Sequence, residues 1–172
     1  MKVMKFGGTS VGSAERIKNV ASLASNAGKN LVVLSAMSGT TNSLLEIAGY
    51  LYNRNPEGAL DTINRLRNKY IREIQELYSS EEYKNKALTY VSEVFRFLEG
   101  MTKQLFTSRE EKIMVAQGEL ISTHMMTFYL LEQGIRAELL PALEFMRTDA
   151  QGEPDSEYIK EHLNALLQAH PD

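Results

Sequence analysis

The residues with the clearest chemical potential lie at the start of the chain, in the run Lys5-Phe6-Gly7-Gly8-Thr9-Ser10-Val11-Gly12. A short strand enters glycines, and a helix-type pattern follows almost at once. Glycines let an anion approach the backbone, and free N–H groups of a turn or of a first helical turn point toward it. Lys5 adds a full positive charge at the strand end, and Thr9 and Ser10 add hydroxyl donors. The chemistry this implies is anion binding, with phosphate as the natural ligand. The Walker motif is excluded: Gly7 and Gly12 have its outer spacing, but Ser13 and Ala14 follow where Lys-Ser/Thr is required. The dinucleotide fingerprint is excluded too, because Thr9 stands where its second glycine belongs. The plain alternative is a tight turn between strand and helix with no ligand.

Two further constellations carry polar groups in apolar surroundings. Ser35-Ala36-Met37-Ser38-Gly39-Thr40-Thr41-Asn42 follows an apolar run, at the carboxyl end of a strand, where α/β proteins bind ligands. On its own it also reads as a polar turn with Thr40 or Thr41 capping a helix. Glu119 sits beside Gly118 among Ile113, Met114, Val115, Leu120 and Ile121. Glycine inside a helix costs roughly 1 kcal/mol against alanine, so a backbone or ligand is expected to approach there. A partly buried carboxylate needs a positive partner, either a ligand cation or a protein cation such as Lys5.

The elements that must position these groups follow from hydrophobic periodicity. Residues 2–6 read as a short strand. Ser13 is a candidate N-cap, with Glu15 in the first turn. Ile17, Val20, Ala21 and Ala24 form a helical stripe ending at Gly28. Leu31-Val32-Val33-Leu34 has the pattern of a parallel strand with both faces covered. Leu44, Leu45, Ile47, Ala48 and Leu51 line the next helix. The βαβα alternation predicts an α/β fold with a mainly parallel sheet flanked by helices.

The alternation then stops, and a large helical insertion is expected at about 56–106. Pro56 is well placed at a helix start. Leu60, Ile63, Leu66, Tyr70, Ile74 and Leu77 form one apolar face. Ala87, Val91, Val94, Leu98, Met101 and Leu105 form another, too short for a coiled coil and suited to a packed helical hairpin. Ser108-Arg109-Glu110-Glu111 fits a capping box for a helix that carries Glu119 and stops at Gly134. Ala137-Glu138-Leu139-Leu140 reads as a third strand closed by Pro141. Residues 148–154 read as a polar loop. Ser156 is a candidate cap for a last helix through Ile159, Leu163, Leu166 and Leu167, with Pro171 just beyond. The tyrosines and methionines read as core and helix-face residues, and His124 as a packing residue.

Composition narrows the function classes. The chain has 172 residues, enough for a real core, with 24% charged residues and a net charge of −3. That balance argues against a general nucleic-acid binder. There is no cysteine, hence no disulfide and no thiolate metal site. His124, His162 and His170 show no metal-ligand spacing, and no metal site is expected. No apolar run approaches the roughly 20 residues of a membrane span, and the N-terminus is strand-like, not a signal peptide. A cytoplasmic protein is expected.

The run from Lys5 to Val11 resembles the N-terminal signature of aspartate kinases, within the amino-acid kinase superfamily. Val32-Val33-Leu34 with Ser35–Asn42, Gly118-Glu119-Leu120-Ile121-Ser122, and the weaker Met146-Arg147-Thr148-Asp149 fit the same family in order and spacing. The resemblance implies an amino-acid kinase (carbamate kinase-like) α/β fold, incomplete here. On this reading residues 1–172 are the N-terminal part of one catalytic domain. The further ATP-site half, with its Arg-Gly-Gly-Ser-Asp stretch, and the ACT regulatory domains would follow it.

The implied reaction transfers the γ-phosphoryl group of ATP to the side-chain carboxylate of L-aspartate, the first step of the lysine, threonine and methionine pathway. The resemblance implies that Lys5 is catalytic and that Lys5, Gly7, Gly8, Thr9 and Ser10 bind ATP phosphates. Ser35, Ala36, Gly39, Thr41 and Glu119 would bind aspartate, Glu119 receiving its α-ammonium group. Mg²⁺ would be held mainly by the nucleotide phosphates. The longer protein is expected to be a homo-oligomer, and the 172-residue chain alone to be inactive. Arg147, Thr148 and Asp149 border the aspartate site or form a structural turn. The alternatives are another amino-acid kinase, such as a glutamate kinase, or a non-catalytic module whose helical hairpin presents an apolar partner surface.

Overall fold

The computed structural model describes residues 1–26 and 28–170; Pro171 lies outside them. The chain forms two compact units, Met1–Arg136 and Ala137–Asp172.

In the first unit, β1 (Lys2–Phe6), α1 (Ala14–Ser25) and β2 (Asn30–Leu34) make one strand–helix–strand unit. The two strands pair in parallel with Lys5 opposite Val33 and Phe6 opposite Leu34. The Ser35 N–H extends the ladder by donating to the Phe6 carbonyl at 3.1 Å. The expected parallel pairing is present, but the expected double covering is not. Of β2 only Leu34 is buried, and Val3 and Val33 are 66% and 40% exposed. Among the described residues the sheet has two strands, and β2 packs chiefly on α5 (Ser108–Glu132). An apolar run acquires two dry faces only when helices lie on both.

The core is helical. α2 (Thr40–Tyr52) packs on α3 (Pro56–Leu77), α3 on α4 (Glu81–Met101), and α4 on α5. α5 returns to touch α2, α1 and β2. The hairpin stripes behave as their spacing requires: Ile63, Leu66, Tyr70, Ile74 and Leu77 of α3 and Ala87, Val91, Val94, Leu98 and Met101 of α4 are buried. Leu105 lies beyond α4 and is 85% exposed, so the stripe ends at Met101. With both apolar faces turned inward, the hairpin presents no apolar stripe of its own to a partner.

Local signals held with small shifts. Pro56 opens α3, and Ser13 caps α1 through the Arg16 N–H. α1 ends at Ser25 with Asn26 as C-cap, and Gly28 lies beyond it with φ of 69°. The capping box of α5 belongs to Thr107 and Glu110, one residue before the expected Ser108 and Glu111, whose carboxylate instead accepts the Tyr52 hydroxyl. α2 has Gly39 as N-cap and no side-chain cap, so neither Thr40 nor Thr41 serves that role. α5 stops before Gly134, which adopts φ of 70°.

The second unit holds α6 (Ala142–Phe145) and α7 (Ser156–Ala169). α7 is capped by Asp155 rather than Ser156; the Asp155 carboxylate accepts the Tyr158 N–H at 3.1 Å. The expected strand at 137–140 does not form, since no neighbouring strand supplies its hydrogen bonds among the described residues. The 148–154 segment is a polar loop closed by an isolated antiparallel bridge between Thr148 and Pro154.

Candidate active site

A cleft of about 350 Å³ opens at the carboxyl ends of the strands, in the first unit. It is lined by Gly8, Thr9, Ser35, Ala36, Met37, Ser38, Gly39, Thr41, Asn42 and Glu119. Three segments far apart in sequence therefore meet: the glycine turn after β1, the turn after β2, and the middle of α5.

Close contacts explain why small residues stand at the junction. A Cβ on Gly8 would lie 2.7 Å from the Ala36 carbonyl oxygen, and one on Gly118 would lie 2.7 Å from the Ala36 Cβ and 3.2 Å from Thr40 Cγ2. Ala36 is thus held between the two glycines, and the helix-interior glycine permits a close approach, as expected. Gly39 adopts φ of 81°, a left-handed turn that suits glycine. That turn reverses the chain between Ser35 and Thr41 and starts α2, whose Ser43 N–H donates to the Gly39 carbonyl at 3.1 Å.

The side chains that face this space are left without protein partners. Among the described residues, Ser35, Thr41 and Glu119 make no side-chain hydrogen bond or ion pair. All three are partly exposed, so their polar atoms are free to meet a ligand. The Lys5–Glu119 bridge considered from the sequence does not form. Lys5 is exposed on β1 and does not line the cleft, and neither do Gly7 and Ser10. Gly7 faces open space, with nothing within 4 Å of a would-be Cβ, so a phosphate can reach its backbone.

The first turn of α1 departs from the expectation of free N–H groups. The Ala14 N–H donates to the Glu73 carboxylate at 2.7 Å, and the Arg16 N–H to Ser13 Oγ at 3.4 Å. A carboxylate of α3 already occupies that helix end, so the first turn of α1 does not offer the open N–H groups expected there. In the glycine turn the Ser10 N–H closes on the Gly7 carbonyl at 2.9 Å, and the Arg16 guanidinium donates to the Thr9 carbonyl at 2.6 Å.

Several site-forming residues escaped the sequence reading. Met37, Ser38 and Asn42 join the lining. Thr40, fully buried, shares a 2.8 Å hydrogen bond with the Tyr70 hydroxyl. Burial pushes the Tyr70 phenol well above its ordinary value, with Thr40 opposing and the Glu119 charge adding to the rise. Lys69 Nζ donates to the Ser38 carbonyl. Its partial burial lowers its pKa, with Glu73 opposing. Tyr70 was legible only as a core residue, and a lysine on a helix edge carries no sequence signal of such a contact. Arg147 and Asp149 are engaged inside the second unit: Arg147 pairs with Asp155 at 2.5 Å and stacks on Tyr158, and Asp149 accepts two backbone N–H groups at 2.9 Å.

No group of three or more His, Asp or Glu side chains able to hold a metal occurs among the described residues. No helix among the described residues is long and apolar enough to cross a membrane.

Comparison with known proteins agrees with this geometry. The amino acid kinase family model matches residues 1–171. Aspartokinase 1, chloroplastic, of Arabidopsis thaliana is 36% identical over 155 residues, covering 86% of this chain and 26% of its own length. Lysine-sensitive aspartokinase 3 of Escherichia coli (strain K12) is 32% identical, covering 98% of this chain and 37% of its own. The crystal structure of E. coli aspartokinase III in complex with aspartate and ADP superposes with a TM-score of 0.76 at 26% identity, over 99% of this chain and 38% of that one. The chain thus spans between a quarter and two fifths of the length of these relatives. With its α/β start, its helical insertion and its glycine-lined cleft, the chain belongs to the amino acid kinase family, and the relatives it matches there are aspartate kinases.

Proposed function

We propose that this chain forms the amino-acid side, and part of the phosphate side, of an ATP:L-aspartate phosphotransferase site. The observation that carries the reading is the cleft where unpartnered Ser35, Thr41 and Glu119 face the glycine turn at Gly8 and Thr9. A small amino acid fits such a space: one carboxylate for its ammonium group, hydroxyls for its oxygens, and a phosphate site next to it. The aspartate and ADP held by the E. coli relative support the choice of ligands.

The chemistry is simple in proton terms. A side-chain carboxylate is ionised at neutral pH, so no general base is required. One carboxylate oxygen forms a bond to the γ-phosphorus of ATP, the bond from that phosphorus to the β-bridging oxygen breaks, and ADP leaves with the electron pair. The barrier is the approach of an anion to a polyanion, so positioning and charge neutralisation dominate. Glu119 orients the substrate through its α-ammonium group, and Ser35 and Thr41 hold its oxygens. Ala36 and Gly39 shape the turn around it. The backbone of Gly7 and Gly8, the hydroxyls of Thr9 and Ser10, and the Lys5 ammonium cradle and neutralise phosphate oxygens. Mg²⁺ borne by the nucleotide supplies further charge neutralisation.

The placement of residues 1–172 within one catalytic domain, cytoplasmic residence and the self-association of the longer protein belong to the same reading. The test is a coupled ADP-release assay on the longer protein that carries this chain, with aspartate and glutamate compared. Turnover is expected with aspartate and not with glutamate; turnover with glutamate alone would replace the substrate, and none with either would end the kinase reading. The isolated 172-residue chain is expected to give no turnover, since on this reading it supplies only part of the ATP site.

A further inference from the structure

One turn of α3 grips both loops of the cleft. Lys69 Nζ donates to the Ser38 carbonyl. The Tyr70 hydroxyl meets Thr40 Oγ1 at 2.8 Å in full burial. Glu73, one turn along, accepts the Ala14 N–H at 2.7 Å, at the start of the helix that follows the glycine turn. Packing of α3 does not require these polar contacts, because Ile63, Leu66, Ile74 and Leu77 already supply its apolar stripe. Lys69 lies at the edge of that stripe, half-buried. Partial burial of an ammonium group is costly unless its hydrogen bonds are used, and here a carbonyl of the substrate turn receives one.

Ser38 immediately precedes Gly39, the left-handed residue of the turn. Fixing the Ser38 carbonyl fixes the peptide plane that enters that turn, since each residue has only two soft backbone dihedrals. Lys69 itself does not line the cleft. Its Nζ lies 3.8 Å from where a Gly39 Cβ would stand.

We propose that Lys69 is a positioning residue of the cleft: its ammonium group pins the Ser38 carbonyl and so sets the Gly39 turn that aims Ser35 and Thr41 into the space facing Glu119. Tyr70 and Glu73 complete the brace, so that one helical turn of the insertion holds the substrate turn and the helix behind the glycine turn in a single register. The kinetic part of the test rests on the aspartate reading above; the exchange part does not.

Lys69→Met and Lys69→Arg are made in the longer protein that carries this chain. Without substrate, hydrogen exchange is followed at Thr40 and Ser43, whose N–H groups bond to the Met37 and Gly39 carbonyls. Lys69→Met is expected to speed exchange there by about tenfold or more through local opening, with the amides of α4 unchanged. Lys69→Arg, which keeps a donor, is expected to restore most of the protection. In the ADP-release assay, Lys69→Met is expected to raise KM for aspartate by about tenfold while KM for ATP stays within about twofold, the mark of a displaced substrate turn. Unchanged exchange at Thr40 and Ser43 would overturn the proposal. So would faster exchange across α4 as well, which would make Lys69 a residue of the fold, or an equal rise in both KM values. If the wild-type protein does not turn over aspartate, the substrate reading falls, and exchange alone still decides the role of Lys69.

Discussion

Of two concavities in the first unit, the larger is the less informative. A groove of about 490 Å³ runs along α4 and α5, lined by Glu82, Asn85, Lys86, Thr89, Tyr90, Glu93 and Phe128. It lies between two helices and part of its polar and aromatic chemistry is used within the protein, although among the described residues Asn85, Thr89 and Glu93 make no side-chain hydrogen bond or ion pair. Lys86 pairs with Glu82 at 2.6 Å, Tyr90 stacks on His124 at 3.7 Å, and His124 Nδ1 donates to the Leu120 carbonyl at 2.7 Å. The cleft by the strands is smaller, about 350 Å³, yet it gathers hydroxyls and a carboxylate from three distant segments of the chain, and glycines hold its walls at contact distance. Volume records where side chains are absent. Polar groups gathered from distant segments onto a closely constrained backbone mark where a ligand belongs.

The sharpest way to break this contrast is to neutralise one carboxylate in each concavity. Glu119→Gln is expected to lower kcat/KM for aspartate by about 100-fold, the scale of one lost charge-assisted hydrogen bond. Glu93→Gln in the groove should leave kinetics unchanged, and both variants should keep the parent melting temperature. Equal effects, or none, would remove the distinction. The next effect is steric and reads the fold alone. Gly118→Ala places a methyl 2.7 Å from the Ala36 Cβ and should cost about 1–3 kcal/mol in chemical denaturation, as overpacking does. Gly100→Ala in α4 meets nothing within 4 Å and should stabilise by about 0.5–1 kcal/mol through helix propensity.

The smallest effect belongs to the groove. Burial lowers the His124 pKa below its ordinary value, with the hydrogen bond to Leu120 opposing. The folded chain therefore favours the neutral ring, and below about pH 6.5 the unfolded chain takes up the proton first. The contribution of His124 is fully present above that pH and is lost as the pH falls toward the folded-state value. Melting curves between about pH 5 and 8 should show a shallow loss on the acid side that His124→Phe removes.

The helices were the most legible part of the sequence, because an apolar stripe at helical spacing carries its own register. Caps shifted by one residue where two hydroxyl or carboxyl candidates adjoin, as at Thr107 with Ser108 and Asp155 with Ser156. The strand signals were weaker. Leu31–Leu34 pairs as expected but is not covered on both faces, and 137–140 has no ladder at all, because a strand is defined by neighbours that its own residues do not encode. The cleft was legible as three motifs, and Gly8, Thr9, Ser35, Ala36, Gly39, Thr41 and Glu119 do meet there. What holds them was not legible: contacts such as Lys69 to Ser38 join residues far apart in the chain and leave no local periodic trace. The Glu73 contact also shows the limit of motif reasoning, since it fills a helix end that the glycine run alone leaves open.

The contact of Ala36 with Gly118 also has a kinetic consequence. It closes a long stretch of chain, and long closures are slow because their entropy must be lost before any contact compensates. The α3–α4 hairpin lies inside that stretch and is built from contacts between successive helices. Once the hairpin forms, the two ends have a much shorter effective distance to search. The cleft should therefore be among the last parts of the unit to assemble during refolding, with the insertion acting as the template on which it closes.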